Sequence, residues 1–477
     1  MREDGFGGIT GPVASWSFAF HFQDQQRFNV GQFAYTKSQF QDLAALALQE
    51  AQNAGATDAA VEISEGQGLS VNVRRGEIEQ VEHNTDKGLD ITVYAGLRKG
   101  HANTSDFSPE AIRRTALAAF DIARYTAEDE CAGLPEPGLL AKSVRDPLLY
   151  HHWNVDVQAA AELARRAEDA AFATDRRIHN SEGASVSAQH MHFVLANTRG
   201  FSNGYASSRH SLSCVPIAGR GNDMQRDYWY SSKRNPAQLA RPEVVGRYAA
   251  ERALSRLRAR KLPTGQYPVL FEAPLAAGLI GSLVHAASGG TLYRKASFLV
   301  DHLGKPVMAA HLDLVEDPKI PDGMGSAPFD DEGVRTRARR VVKAGRLEGY
   351  FLSSYSGRKL GMPTTGNAGG PHNLTLTSGL TQSGDDLPAM LRKLHRGLFV
   401  IELMGHGINY VTGDYSRGVM GFWVDGGAIQ YPVQEITIAG NLRSMFLGIA
   451  AVGSDVYQSG SRRTGSILVD GMTVAGS

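Results

Sequence analysis

An α+β fold in two domains is what this 477-residue sequence predicts, on three observations. Helical and strand periodicities both occur, but they do not alternate as a doubly wound sheet requires. Glycine (53) far outnumbers proline (19), which marks many tight turns. A proline and glycine break, Lys261-Leu262-Pro263-Thr264-Gly265, separates a half that carries helices from a half rich in strands. The predicted division is an irregular tail over 1–35, an N-terminal α+β domain with antiparallel strands over 36–262, and a mostly-β C-terminal domain over 263–477.

In chain order, Phe40, Leu43, Ala44, Ala47 and Ala51 recur at helical spacing, so 38–53 reads as an amphipathic helix with Ser38 as N-cap and Gly55 as stop. Residues 61–63, 69–74 and 89–93 alternate at period two and predict an antiparallel meander with one wet face. Ser108-Pro109 opens a second helix, running to about Arg124, because proline costs nothing at the first helical position. Helices follow over 157–173 and 243–260, with strands at 185–195 and around Tyr228-Trp229-Tyr230. Beyond the break, 269–271 reads as a strand and 274–287 as a buried helix of small residues. The apolar runs 398–403 and 419–424 read as strands, and Asp425-Gly426-Gly427 predicts a hairpin into Ile429-Gln430-Tyr431.

Charge and cysteine usage narrow the function. Lys plus Arg equals Asp plus Glu at 49 each, so no net field draws the chain to a polyanion, and nucleic acid is not an expected partner. Cys131 and Cys214 can form one disulfide at most, which fits a reducing cytoplasm. No apolar run reaches membrane-spanning length. The first 32 residues lack an apolar core and cleavage site, so no signal peptide is expected. Gly366-Asn367-Ala368-Gly369-Gly370 falls short of a phosphate loop, and no Gly-x-Ser-x-Gly elbow occurs. The basic run 256–261 reads as a solvated helix end.

Three strings carry a resemblance: Gly413-Asp414-Tyr415-Ser416-Arg417-Gly418, Gly421-Phe422-Trp423, and the run from Ile429 through Pro432-Val433-Gln434-Glu435 to Leu442. Supporting them are the segments 292–299, Pro328-Phe329-Asp330-Asp331-Glu332-Gly333-Val334, and 353–361. In order and spacing these closely resemble the PmbA branch of the TldD/PmbA family over most of 265–477, and more loosely through Arg75-Gly76-Glu77-Ile78-Glu79. The resemblance implies a two-domain protein of a family that pairs a zinc-bearing TldD-type subunit with a PmbA-type subunit and acts on unstructured peptides.

In the TldD branch, zinc is expected on a helix reading His-Glu-x-x-x-His, with a cysteine near the C-terminus. Imidazole and thiolate hold the metal there, and the glutamate takes a proton from the attacking water. Residues five apart sit about 140° round a helix, so such a helix must end or distort at its second histidine. Here the matching stretch is His285-Ala286-Ala287-Ser288-Gly289-Gly290, which keeps one histidine and places Ala286 and Gly290 at the base and second-ligand positions. Ser461-Arg462-Arg463-Thr464-Gly465-Ser466 occupies the region of the cysteine. The expectation is a non-catalytic subunit with no metal or cofactor of its own, its zinc lying in a TldD-type partner. A homodimer is expected when the chain is alone.

Two alternatives stay open: a peptidase with a metal site rebuilt from His406, Asp414 or Glu402, and a pure interaction protein of the gyrase-modulator kind. His406, also a candidate peptide-binding residue, lies in Met404-Gly405-His406-Gly407, whose glycines point to close backbone approach, and Glu402 is expected to meet a buried arginine or backbone donors. Asp414 and Arg417 have two readings, a peptide-binding pair or an internal pair bracing a glycine loop.

Overall fold

One long strand, Asp58–Arg74, organises the first half of the chain. The structure is a computed structural model that describes residues 33–476; what the sequence predicts for 1–32 lies outside the described residues. Glu77–Ala95 and Arg98–Thr104 continue from that strand as an antiparallel meander. On its other side lie Ile178–Asn197, Ala206–Ala218 and Gln225–Arg226, and Trp229–Lys233 pairs with Ala206–Ala218. Ala59, Val61 and Ile63 pack under the helices Lys37–Asn53 and Pro109–Tyr125, while Leu69, Val71 and Val73 pack under Val157–Thr174 and Pro242–Ser255. All six positions are odd, so both helix pairs cover one face of the sheet. Each buried Val, Leu or Ile contributes about 1.5–3 kcal/mol. The alanine-rich helices approach closely, and a Cβ on Gly246 would stand 1.8 Å from the carbonyl of Ala167.

The second half holds two six-stranded sheets. In the first, Arg346–Leu347, Arg339–Lys343, Leu312–Asp317, Asn373–Ser378, Arg462–Thr464 and Tyr457–Ser459 lie in that order. In the second, Ala428–Asn441, Asp414–Asp425, Gly397–Ile408, Gly265–Phe271 and Ile467–Ala475 follow one another, and Ala428–Asn441 also pairs with Ile467–Ala475, so five strands close a barrel. The predicted hairpin forms, with Asp425 opposite Ala428 and both Gly426 and Gly427 at positive φ, the conformation a two-residue turn demands. The helix Ala273–Ala286 is sandwiched between the two sheets and contributes Ala276, Leu279, Ile280 and Leu283 to their shared core. The α+β class expected from the sequence is the class observed.

Element boundaries differ for local reasons. Thr36, not Ser38, caps the first helix, because Thr36 and Gln39 exchange reciprocal bonds of 3.2 and 2.7 Å. The expected strands 61–63 and 69–74 are one strand, since Gly66 and Gly68 continue it where glycine suggested a turn. The helix expected over 243–260 ends at Ser255, where Arg258 adopts a positive φ of 62° and Asp223 accepts its amide proton at 2.8 Å.

Candidate functional site

Pro274 starts the helix Ala273–Ala286, and the helix stops where Ser288 and Thr291 turn their hydroxyls back onto the carbonyl of His285 at 2.9 and 2.7 Å. A separate short helix, Gly289–Tyr293, carries Gly290. The break therefore falls between 285 and 290, where residues five apart leave a common face. His285 is exposed, and its ring lies against Tyr410 with centroids 4.0 Å apart. Ala286 points the other way, wholly buried in the core between the sheets, so a glutamate there would enter apolar packing. Position 290 has room, because a Cβ would meet only the Arg294 guanidinium at 3.4 Å.

The strand Arg462–Thr464 brings a cation to this helix. A Cβ on Gly281, one turn before His285, would lie 2.7 Å from Nη1 of Arg462. The Arg462 Nε is buried with no hydrogen-bond partner among the described residues, and burial holds its guanidinium below the usual arginine range. His285 is likewise held below the ordinary imidazole value, by partial loss of solvent on one side of its otherwise exposed ring and then by Arg294 beside it. The neighbourhood is thus positive, with Tyr410 between His285 and Arg462. Sequence reasoning noted a missing cysteine in Ser461-Arg462-Arg463-Thr464-Gly465-Ser466 and overlooked the arginine. A half-buried arginine in a string otherwise of small or polar residues was the available signal.

Asp414 and Arg417 do not form the internal pair that one reading required. They belong to a strand, not a glycine loop, and residues three apart on a strand face opposite sides. Asp414 is exposed and accepts from Thr412 Oγ1 at 2.6 Å and Asn441 Nδ2 at 3.1 Å, which hold its carboxyl below the usual range. Arg417 Nε donates to the carbonyl of Met404 at 3.2 Å. Beside it, burial pushes Tyr415 up to about 12.

His406 is exposed in a bulge, since Met404 pairs with Gly418 and Gly407 with Ser416. Glu402 meets a buried arginine as expected: Arg256 lies 2.6 Å away, and Arg256 also reaches Asp227 at 3.3 Å. Arg252 joins the same network through Asp227 at 3.3 Å and Glu272 at 2.7 Å. Arg256, the first residue of the basic run, therefore sits in a buried ion network, while Arg258, Arg260 and Lys261 are exposed as a solvated helix end requires. His406, Asp414 and Glu402 thus have separate surroundings, and among the described residues no three His, Cys, Asp or Glu side chains are grouped to hold a metal ion. No described helix is long and apolar enough to cross a membrane.

A sheet covered by helices on one face, joined to a closed barrel and a second sheet that share one buried helix, is the architecture of a multidomain α+β protein. Three domain families match in succession: PmbA/TldA metallopeptidase domain 1 over 59–123, the central domain over 150–257, and the C-terminal domain over 264–476. The chain is 48% identical over 423 residues to Metalloprotease PmbA of Escherichia coli O157:H7, covering 88% of this chain and 93% of that protein. It is 46% identical over 446 residues to the Metalloprotease PmbA homolog of Haemophilus influenzae, covering 93% and 98%. A crystal structure from Bacteroides thetaiotaomicron described as a modulator of DNA gyrase superposes with a TM-score of 0.86 at 26% identity, covering 91% of this chain and 98% of that one. TldE from Thermococcus kodakarensis shares the fold, with a TM-score of 0.79 at 19% identity over 91% of this chain and all of that one. The chain belongs to the PmbA/TldD family.

Proposed function

We propose that this chain is the PmbA-type subunit of a zinc peptidase acting on unstructured peptides, carrying no zinc itself and completing the site of a TldD-type partner in the cytoplasm. The observation that carries this reading is Arg462. Its guanidinium rests on the helix where the family's metal would be held, and a second cation beside it would be repelled. The burial of Ala286 supports the same reading, since the base position faces the core. Haemophilus influenzae KW20/Rd has both a PmbA homolog and a TldD homolog, the latter 24% identical to this chain, so the two kinds occur together.

Metal analysis and peptide cleavage test the proposal. The purified chain, a homodimer on this reading, holds far less than one zinc per chain and does not cleave unstructured peptides until a TldD-type protein is added. One zinc per chain with chelator-sensitive cleavage would replace this reading by that of a peptidase in its own right, which the names of the relatives, Metalloprotease PmbA and its homolog, favour.

A further inference from the structure

Two strands that pair on one side only face each other across the junction of the halves. Among the described residues, Trp229–Lys233 pairs solely with Ala206–Ala218, and Tyr457–Ser459 pairs solely with Arg462–Thr464. Between them lies a cleft of about 580 Å³, within the range of ligand sites. Its floor is the 320–324 loop, which Arg234 fixes by donating to the carbonyls of Gly323 at 3.1 Å, Met324 at 2.9 Å and Ser208 at 3.2 Å. Adjacent residues on a strand point to opposite faces, so Arg463 lines this cleft while Arg462 turns to the helix beside His285. The cleft is thus separate from the metal-helix neighbourhood.

Its charge is one-sided. Arg209, Lys233, Arg234 and Arg463 line it, and among the described residues none of them forms an ion pair. The single acidic lining residue, Asp322, is engaged by His151 at 2.6 Å and Gln238 at 3.2 Å. Trp229 and Tyr457, with ring centroids 5.5 Å apart, supply an aromatic wall. Open strand edges offer backbone donors and acceptors that an extended peptide satisfies and a nucleic acid does not.

We propose that this cleft binds an extended acidic peptide segment, added as a strand to one of the two edges with its carboxylates on Arg209, Lys233 and Arg463. This deepens the reading of the chain as a peptide-handling subunit by giving that subunit its own preference for acidic sequence. Binding requires no partner and no metal.

Fluorescence anisotropy with the full chain alone tests it. The probes are a labelled Glu-Ser-Gly peptide, its Lys-Ser-Gly counterpart, the acidic peptide N-methylated at alternate residues, and a single-stranded DNA of equal charge. Only the first binds. Replacing Lys233→Glu together with Arg463→Glu weakens it about a hundredfold, roughly tenfold per lost charge pair, while the melting temperature stays that of the parent. Equal binding of the N-methylated peptide, tighter binding of the DNA, no loss in the double variant, or no binding of the acidic peptide at all would each overturn the proposal. A chain that fails to bind the acidic peptide yet still completes cleavage with a TldD-type protein would refute the cleft and leave the subunit role standing.

Discussion

The Arg417 guanidinium donates to a carbonyl, and among the described residues Asp414 has Thr412 and Asn441 instead of an arginine. Removing Arg417 therefore strands no buried carboxylate, and urea denaturation of Arg417→Ala should show a loss under about 1 kcal/mol. A loss of about 3–5 kcal/mol would mean a buried partner charge after all. The opposite faces of 414 and 417 were legible had the string been read as the start of a strand; its two flanking glycines suggested a loop. Position 286 makes the converse demand. Ala286→Glu with Gly290→His should not create a zinc site, because the glutamate enters the core and no third ligand stands by, and melting should drop while metal content stays unchanged. The missing glutamate and histidine were plain in the sequence. The burial of 286 was legible too, since the apolar residues of 274–287 run all round the helix and mark it as buried; which sheet each side meets was not.

Among elements, the facing strands Ile178–Asn197 and Ala206–Ala218 bury a histidine pair that the sequence reading did not single out. His190 and His210 lie with ring centroids 5.1 Å apart, and each has a buried Nδ1 without a partner among the described residues. The amide of Trp153 donates to Nε2 of His190 at 3.2 Å, so that nitrogen carries a lone pair, and protonation would destroy the bond. Burial, then His210 and His152, lower His190 from its ordinary 6.5 to about 4. The folded protein thus binds fewer protons than the unfolded chain between those values. Stability is full above about pH 6.5 and declines as the pH falls toward 4, by at most about 3 kcal/mol from this residue. Thermal melts from pH 7.5 to 4.5 should show the decline, flattened in His190→Gln, which keeps an acceptor for Trp153. An equal slope in both proteins would assign the effect elsewhere. The strand expected over 185–195 covers His190, but no strand was expected over 206–218, which carries His210, and local alternation cannot say which strands lie side by side, so the histidines stayed unrelated.

For the molecule as a whole, the buried network of Arg252, Arg256, Asp227, Glu272 and Glu402 joins the two halves. Arg256→Ala leaves Asp227 and Glu402 short of a counter-charge, and chemical denaturation should register a loss of about 3–5 kcal/mol. A loss below about 1 kcal/mol would show the network to be hydrated. Fold class and most elements were readable because periodicity is local. The barrel closure and the inter-half network were not, because both depend on residues far apart in sequence, such as Ala439 opposite Thr473 and Arg256 beside Glu402. The proline and glycine break also hides what the segment before it does. Arg260 donates its amide to the carbonyl of Pro432 at 2.9 Å and accepts from Gln434 at 3.1 Å, and Leu262 is buried in the core between the sheets. This joint is a weld, not a hinge. Swinging the halves apart would break two backbone bonds at about 1 kcal/mol each and uncover a leucine at about 1.5–3 kcal/mol. If the cleft takes a peptide as proposed, it does so at a fixed width, so the encounter rate would be set by how much of the free peptide is already extended, and not by any clamping motion of the protein.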